Sequence, residues 1–312
     1  MGTAARIVSF LPSATEMVCV LGLADRLVGV THECDYPPVV KGKPVVVRSA
    51  IAVEQLTQAE VDQAVSERVE NGRSVYQVDE NLLRELAPDV ILTQELCQVC
   101  APSGNEVTQA LNALPKKPQI LWLTPRTLAD IADNLRDIGV ATGCQSAAET
   151  WITANFGKLK EISTIADQCG SRPRVFCMEW FDPVYSSGHW IPEMVRIAGG
   201  VDELGQEGQY STPVAWEKVR DWAPQVLVLM PCGHHLEKVL ELAPQLTRLP
   251  GWSDLPAVQK NQVYAVDASS YFARPGPRIV QGTELLAHLI HPERFAWTGP
   301  EMAYRRLLQA DI

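Results

Sequence analysis

Short apolar runs of strand length alternate along this chain with segments whose apolar positions recur at helical spacing. Runs at 6–11, 27–31, 89–93, 119–123, 174–178, 226–230 and 263–267 are apolar and rich in Val, Ile and Leu, as strands covered on both faces require. Between them, 14–22, 80–87 and 127–138 carry helical periods; in the last, Leu128, Ile131, Leu135 and Ile138 share one face. The alternation predicts an α/β fold with largely parallel sheets.

Part of the pattern occurs twice. Glu16-Met17-Val18 with Gly22, Asp25 and Leu27 recurs as Glu193-Met194-Val195 with Gly199, Asp202 and Leu204. Leu86-Ala87-Pro88-Asp89-Val90-Ile91-Leu92 is echoed by Trp222-Ala223-Pro224-Gln225-Val226-Leu227-Val228. In each echo a helix stops before proline, whose ring disfavours helical geometry in the preceding residue, and a buried strand follows. Between the copies, Ala147, Ala148, Trp151, Ile152, Phe156, Leu159 and Ile162 keep helical spacing, with Gly143 before and Gly170 after. The expectation is two similar Rossmann-like lobes, 1–140 and 171–312, joined by one long bridging helix within 141–170. A cleft between the lobes is then the default place for a ligand.

Charge and composition narrow the function. The 312 residues hold 27 Lys+Arg against 37 Asp+Glu, a formal net charge of −10. An acidic surface cannot displace counterions from phosphate, so no nucleic-acid partner is expected. No run of about 18 uninterrupted apolar residues occurs, so direct membrane insertion is not expected. The run Ile7 to Leu11 is too short and too early for a secretory leader, so the location expected is cytoplasmic, periplasmic only if the start lies elsewhere. Eight cysteines without dense short spacings fit that location if most are reduced thiols.

Three segments carry a resemblance. Asp35-Tyr36-Pro37-Pro38 follows the second strand; Arg174-Val175-Phe176 leads into Asp182-Pro183-Val184-Tyr185-Ser186-Ser187-Gly188; and Tyr271-Phe272-Ala273-Arg274-Pro275-Gly276-Pro277-Arg278-Ile279 lies near the C-terminus. Together they resemble the cobalamin-binding branch of the helical-backbone substrate-binding proteins that serve ABC importers. The resemblance spans nearly the whole chain. It implies a non-enzymatic carrier, scavenger or importer-type binding protein holding cobalamin or a related corrinoid between its lobes, with an ABC permease as a partner. It places Tyr36, Trp180, Phe181, Tyr185, Tyr271, Phe272 and Arg274 at the ligand. Aromatic faces suit a broad apolar macrocycle, and arginine donates to its amides. It also implies docking on a permease through Glu106 and Glu237.

The chain departs from that branch at two places. His32-Glu33-Cys34 stands where an aromatic precedes Asp-Tyr-Pro-Pro, and Gln94 replaces a tryptophan, leading into Cys97-Gln98-Val99-Cys100. His32, Glu33, Gln94, Glu179 and His189 follow predicted strands or lie in adjoining loops, and carboxyl ends of parallel strands line ligand crevices. They join the ligand-contact candidates. His32, Cys34, Cys97 and Cys100 are candidate ligands for zinc, iron or cobalt, because thiolate and imidazole suit such ions. The alternative function is therefore a cytosolic metal- or thiol-dependent protein or enzyme on the same scaffold. Against an enzyme, the chain has no G-x-S-x-G elbow, phosphate loop, H-E-x-x-H or post-strand G-x-G-x-x-G.

Overall fold

The computed structural model describes residues 5–53, 56–71, 73–94 and 114–308. Two compact units are present: Met1–Pro125 with Ala129–Ile152, and Arg126–Leu128 with Thr153–Ile312.

The first unit is built on β1 (Ile7–Ser9), β2 (Leu27–Thr31), β3 (Val45–Ser49), β4 (Tyr76–Val78), β5 (Val90–Thr93) and β6 (Gln119–Trp122), in the order β4-β3-β2-β1-β5-β6. Neighbours run parallel except the edge strand β4, which is antiparallel to β3. Val8, Phe10, Val46, Val47, Leu83 and Ile91 form its core beneath the helix Glu80–Leu86. Asp79 caps that helix by accepting from the Leu82 N–H, an oxygen at the N-cap satisfying a donor that has no partner inside the helix.

The second unit contains β7 (Val175–Phe181), β8 (Val184–Ser186), β11 (Val226–Leu229), β12 (Val263–Val266) and β13 (Tyr304–Leu307), in the order β13-β12-β11-β7-β8. Its centre, β7-β11-β12, is parallel, while β8 and β13 are antiparallel edges. The antiparallel edge β8 has a simple cause: only Asp182 and Pro183 separate it from β7, and so short a link permits only a hairpin. A separate parallel pair, β9 (Gly188–His189) and β10 (Gln206–Glu207), lies beyond this edge in the chain. Phe176, Met178, Leu227, Leu229, Val263 and Ala265 are 1% exposed or less, as strands covered on both faces must be.

The segment read as one helix within 141–170 is the helix Gln145–Ala166, preceded by a separate helix Leu128–Thr142. Gly143, at φ +73°, ends the earlier helix in the left-handed region that side chains avoid. The echoed glutamates also take distinct positions. Glu16 is 2% exposed in the helix Pro12–Val20. Glu193 Oε2 accepts the Leu128 N–H at 2.9 Å and so secures the Arg126–Leu128 segment within the second unit.

Candidate functional site

In the second unit the chemistry gathers where β7 ends. The pairing of β7 with β8 slips between Met178 and Trp180, because Glu179 is an extra residue in β7. A bulge of this kind re-aims a side chain that strict alternation would direct elsewhere. The Glu179 carboxylate accepts the Gly188 N–H at 3.2 Å through Oε1 and the Ser211 hydroxyl through Oε2. Asp202, further along, accepts the Ser187 hydroxyl at 2.7 Å and the N–H groups of Leu204 and Gly205 at 3.2 and 2.9 Å. Two carboxylates thus anchor the strap formed by 187–189 and 202–211.

Enclosure shifts both acids. Burial pushes Glu179 up to about 7; the Ser211 and Gly188 hydrogen bonds oppose the rise, and the Asp202 charge adds to it. Burial likewise raises Asp202 to about 6 against three opposing hydrogen bonds. Cys177, fully buried on β7, is driven well above the usual thiol range by burial first and by these two acids after it. It is a core thiol, not a nucleophile.

The strap carries aromatic rings. The His189 ring lies 5.3 Å from Trp190 and 5.3 Å, edge-on, from Tyr210. The Arg126 guanidinium stands 5.4 Å from the Tyr210 ring centroid. Burial, with the Arg126 charge second, holds His189 below the ordinary imidazole range. At the end of β7, Trp180 is half-buried, with its ring 5.5 Å from His234. His234, also lowered chiefly by burial, follows β11. The next residue, His235, bonds Asp267 at 3.0 Å, and Asp267 caps Ser270 N at 2.9 Å, tying this loop to the one after β12.

The expected ligand residues divide into surface and interior positions. Trp180, Tyr185 and His189 are half-buried at the end of the sheet or on the strap. Phe181, 3% exposed, and Phe272, 2% exposed, the other two aromatic ligand candidates of this region, are interior residues in this structure. The Phe272 carbonyl instead accepts the Trp190 indole N–H at 2.9 Å. Tyr271 is buried too, with Trp297 edge-on at 6.1 Å and the Arg278 guanidinium 6.0 Å from its ring centroid. Arg274 is half-buried just beyond it. Glu179 is a structural anchor of the strap. Arg126, Tyr210 and Ser211 were missed by sequence reasoning, although Gly205-Gln206-Glu207-Gly208-Gln209-Tyr210-Ser211 is a polar, glycine-punctuated loop ending in an aromatic.

In the first unit, His32, Glu33 and Tyr36 are exposed beyond β2, and Gln94 is 5% exposed after β5. His32 Nδ1 lies 3.2 Å from Thr31 Oγ1 and 3.3 Å from the Val47 carbonyl. Cys34 Sγ lies 3.0 Å from Thr15 Oγ1. Cys97, Cys100 and Glu106 fall outside the described residues. Among the described residues no three His, Cys, Asp or Glu side chains gather to hold a metal ion; of the metal set His32, Cys34, Cys97 and Cys100, only His32 and Cys34 are among them. Glu237 is exposed in the first turn of the helix Leu236–Leu242.

Two α/β units, with aromatic rings and imidazoles held below their ordinary range at the end of the second unit's sheet, frame a site suited to a solute with a broad apolar face. The chain belongs to the periplasmic binding protein family, whose model matches residues 7–269. This is a family of binding proteins and not of enzymes, and it removes the enzyme alternative. The chain is 26% identical over 298 residues to the uncharacterized ABC transporter substrate-binding lipoprotein YvrC of Bacillus subtilis, covering 93% of this chain and 81% of the relative. It is 25% identical over 287 residues to the vitamin B12-binding protein of Vibrio cholerae, covering 90% and 87%. The periplasmic heme-binding protein of Pseudomonas aeruginosa has the same fold, at a TM-score of 0.73 and 18% identity, over 98% of this chain and 99% of that one.

These relatives correct the expected location. A cytoplasmic protein was inferred from the absence of a readable leader, but the family is periplasmic and the Bacillus relative is a lipoprotein. The first residues of a sequence were a poor guide to its compartment. Among the described residues no helix is long and apolar enough to cross a membrane.

Proposed function

We propose that the protein binds a corrinoid such as cobalamin, or a closely related tetrapyrrole, as the solute-binding component of an ABC importer. The observation that carries this reading is Trp180: a large aromatic ring at a strand's carboxyl end, backed by His234 and only half-buried. Such a ring covers an apolar macrocycle at small entropic cost, since only two torsions are fixed. The relationship to a vitamin B12-binding protein along 90% of the chain supports a corrinoid as the solute. Tyr185, paired with Trp180 across the hairpin, and Arg274 extend the contact set. His32, Glu33, Tyr36 and Gln94 are the first unit's candidates for contacting solute. Glu237, exposed at a helix start, is suited to meet a basic patch on a permease, and Glu106 is its proposed counterpart.

Trp180→Ala tests the reading. Loss of a central aromatic anchor typically costs 2 kcal/mol or more, so cobalamin affinity is expected to fall roughly 30-fold. Fluorescence or absorbance titration measures it, with the unfolding midpoint as a control for integrity. Unchanged affinity in a folded variant removes Trp180 from the site.

A further inference from the structure

We infer that His32 is an axial ligand to the metal at the centre of the macrocycle, binding it through Nε2. The inference rests on the macrocycle reading and specifies how the first unit holds the solute. The shared chemistry is a trivalent metal in a planar ring of nitrogens with an exchangeable axial position: the cobalt of a corrinoid or the iron of a porphyrin. The Nε2 lone pair forms a bond to that metal as a bound water leaves, with no change of oxidation state. The macrocycle supplies the equatorial nitrogens, so one protein nitrogen completes the site and no cluster of ligating side chains is required.

Three observations lead here. The first is the tautomer. His32 Nδ1 lies 3.3 Å from the Val47 carbonyl oxygen and 3.2 Å from Thr31 Oγ1. A carbonyl oxygen only accepts, so the proton sits on Nδ1 and Nε2 carries the lone pair. Histidines that ligate metals are oriented in this way, the second ring nitrogen donating to a carbonyl or carboxylate. The second is what that lone pair meets. His32 is exposed, and among the described residues its Nε2 has no hydrogen-bond partner. His288 shows the contrast: its Nδ1 bonds the Phe295 carbonyl and its Nε2 the Tyr304 hydroxyl, both at 2.8 Å. The third is rigidity. The His32 N–H donates to the same Val47 carbonyl at 3.0 Å, and the Cys34 N–H closes a turn onto the Thr31 carbonyl at 3.0 Å. Thr31 is in register with Val47 where β2 pairs with β3, so the ring stands just beyond the carboxyl end of a parallel strand. Ligands of α/β sheets bind at such ends. Cys34 turns its Sγ to Thr15 Oγ1, and Thr15 is 0% exposed. That contact pins the turn from beneath and leaves the imidazole as its outward ligating group. A side chain held in place before binding loses little freedom on coordination.

The test uses the full chain and absorption titrations with pairs of ligands differing at the metal alone. Aquocobalamin, whose axial water exchanges, is compared with cyanocobalamin, whose cyanide blocks that position; hemin is compared with metal-free protoporphyrin. In the parent, the member with an exchangeable position is expected to bind with the band shift that imidazole ligation produces. His32→Ala is expected to remove the shift and to weaken that member by at least about 10-fold, the lower end of what losing a metal ligand's supporting partner costs. The blocked or metal-free member should change less than about 2-fold, which together with the unfolding midpoint shows that the variant is folded. The pair that responds identifies the metal. Binding with no such shift in either pair, or a shift that persists in His32→Ala, overturns the inference and leaves the solute reading standing. Equal weakening of both members of a pair also overturns it, because His32 would then act through packing. Failure of every ligand to bind the folded parent overturns the solute reading and the inference with it.

Discussion

Gly188→Ala is expected to destabilise the protein by about 3 kcal/mol, the upper range of overpacking costs, and to abolish solute binding. A Cβ at position 188 would stand 2.7 Å or less from the backbone of Gln209, Tyr210 and Ser211. Backbone cannot rotate aside as a flexible side chain can, so the two passes of the strap must separate. Separation breaks the Gly188 N–H bond to Glu179 and the Gly208 N–H bond to the His189 carbonyl, and with them the placement of His189 and Tyr210. Urea unfolding and a cobalamin titration on the same preparation measure both effects. Parental stability together with parental affinity would contradict the close approach of these strands.

Glu179→Gln is expected to act in the opposite direction, with an effect that depends on pH. In the folded protein Glu179 titrates near 7 against an ordinary value of 4.5, with burial as the main cause. A pKa raised by folding means that the native state favours the protonated acid. Its contribution to stability is complete below about pH 4.5 and is lost as pH rises through 7. The loss amounts to about 3 kcal/mol at most by pH 8. Glutamine keeps an acceptor for the Gly188 N–H and places a donor toward Ser211 Oγ without a charge. The variant should therefore match the parent at pH 4.5 and exceed its stability by about 2 kcal/mol at pH 8. The difference between the two proteins isolates this group, because His189 and His234, lowered by burial, contribute the opposite slope to both. Equal destabilisation of the variant at both pH values would show that the carboxylate is needed as a charge and is not strained by burial.

The scaffold was legible because its signal is local. Runs such as Val226-Leu227-Val228-Leu229 have strand length and full burial, and they became β11. The stop at Gly143 before a second long helix was also local, fixed by one residue's preference for positive φ. The site was less legible, for a physical reason. Glu179 reaches Ser211 across 32 positions in the chain, and Asp202 reaches Ser187 across 15. Neither pair leaves a periodic trace. The bulge that turns Glu179 inward is a pairing irregularity that appears only when β8 lies beside β7. Phe181 and Phe272 illustrate the converse: flanking Asp, Pro and Gly marked loops nearby, yet both rings turn into the core where apolar area is better satisfied. Compartment was the least legible property, since it depends on signals that composition does not record.

The central claim, that this member of the periplasmic binding protein family takes a corrinoid or related tetrapyrrole as its solute, is tested most directly by isothermal titration of the purified chain with cobalamin, and separately with hemin. The account predicts one-to-one binding of cobalamin or hemin with a dissociation constant of about 1 μM or tighter, corresponding to roughly −8 kcal/mol. Absence of binding by both ligands at about a hundredfold higher concentration, in protein shown to be folded by its unfolding transition, would contradict it.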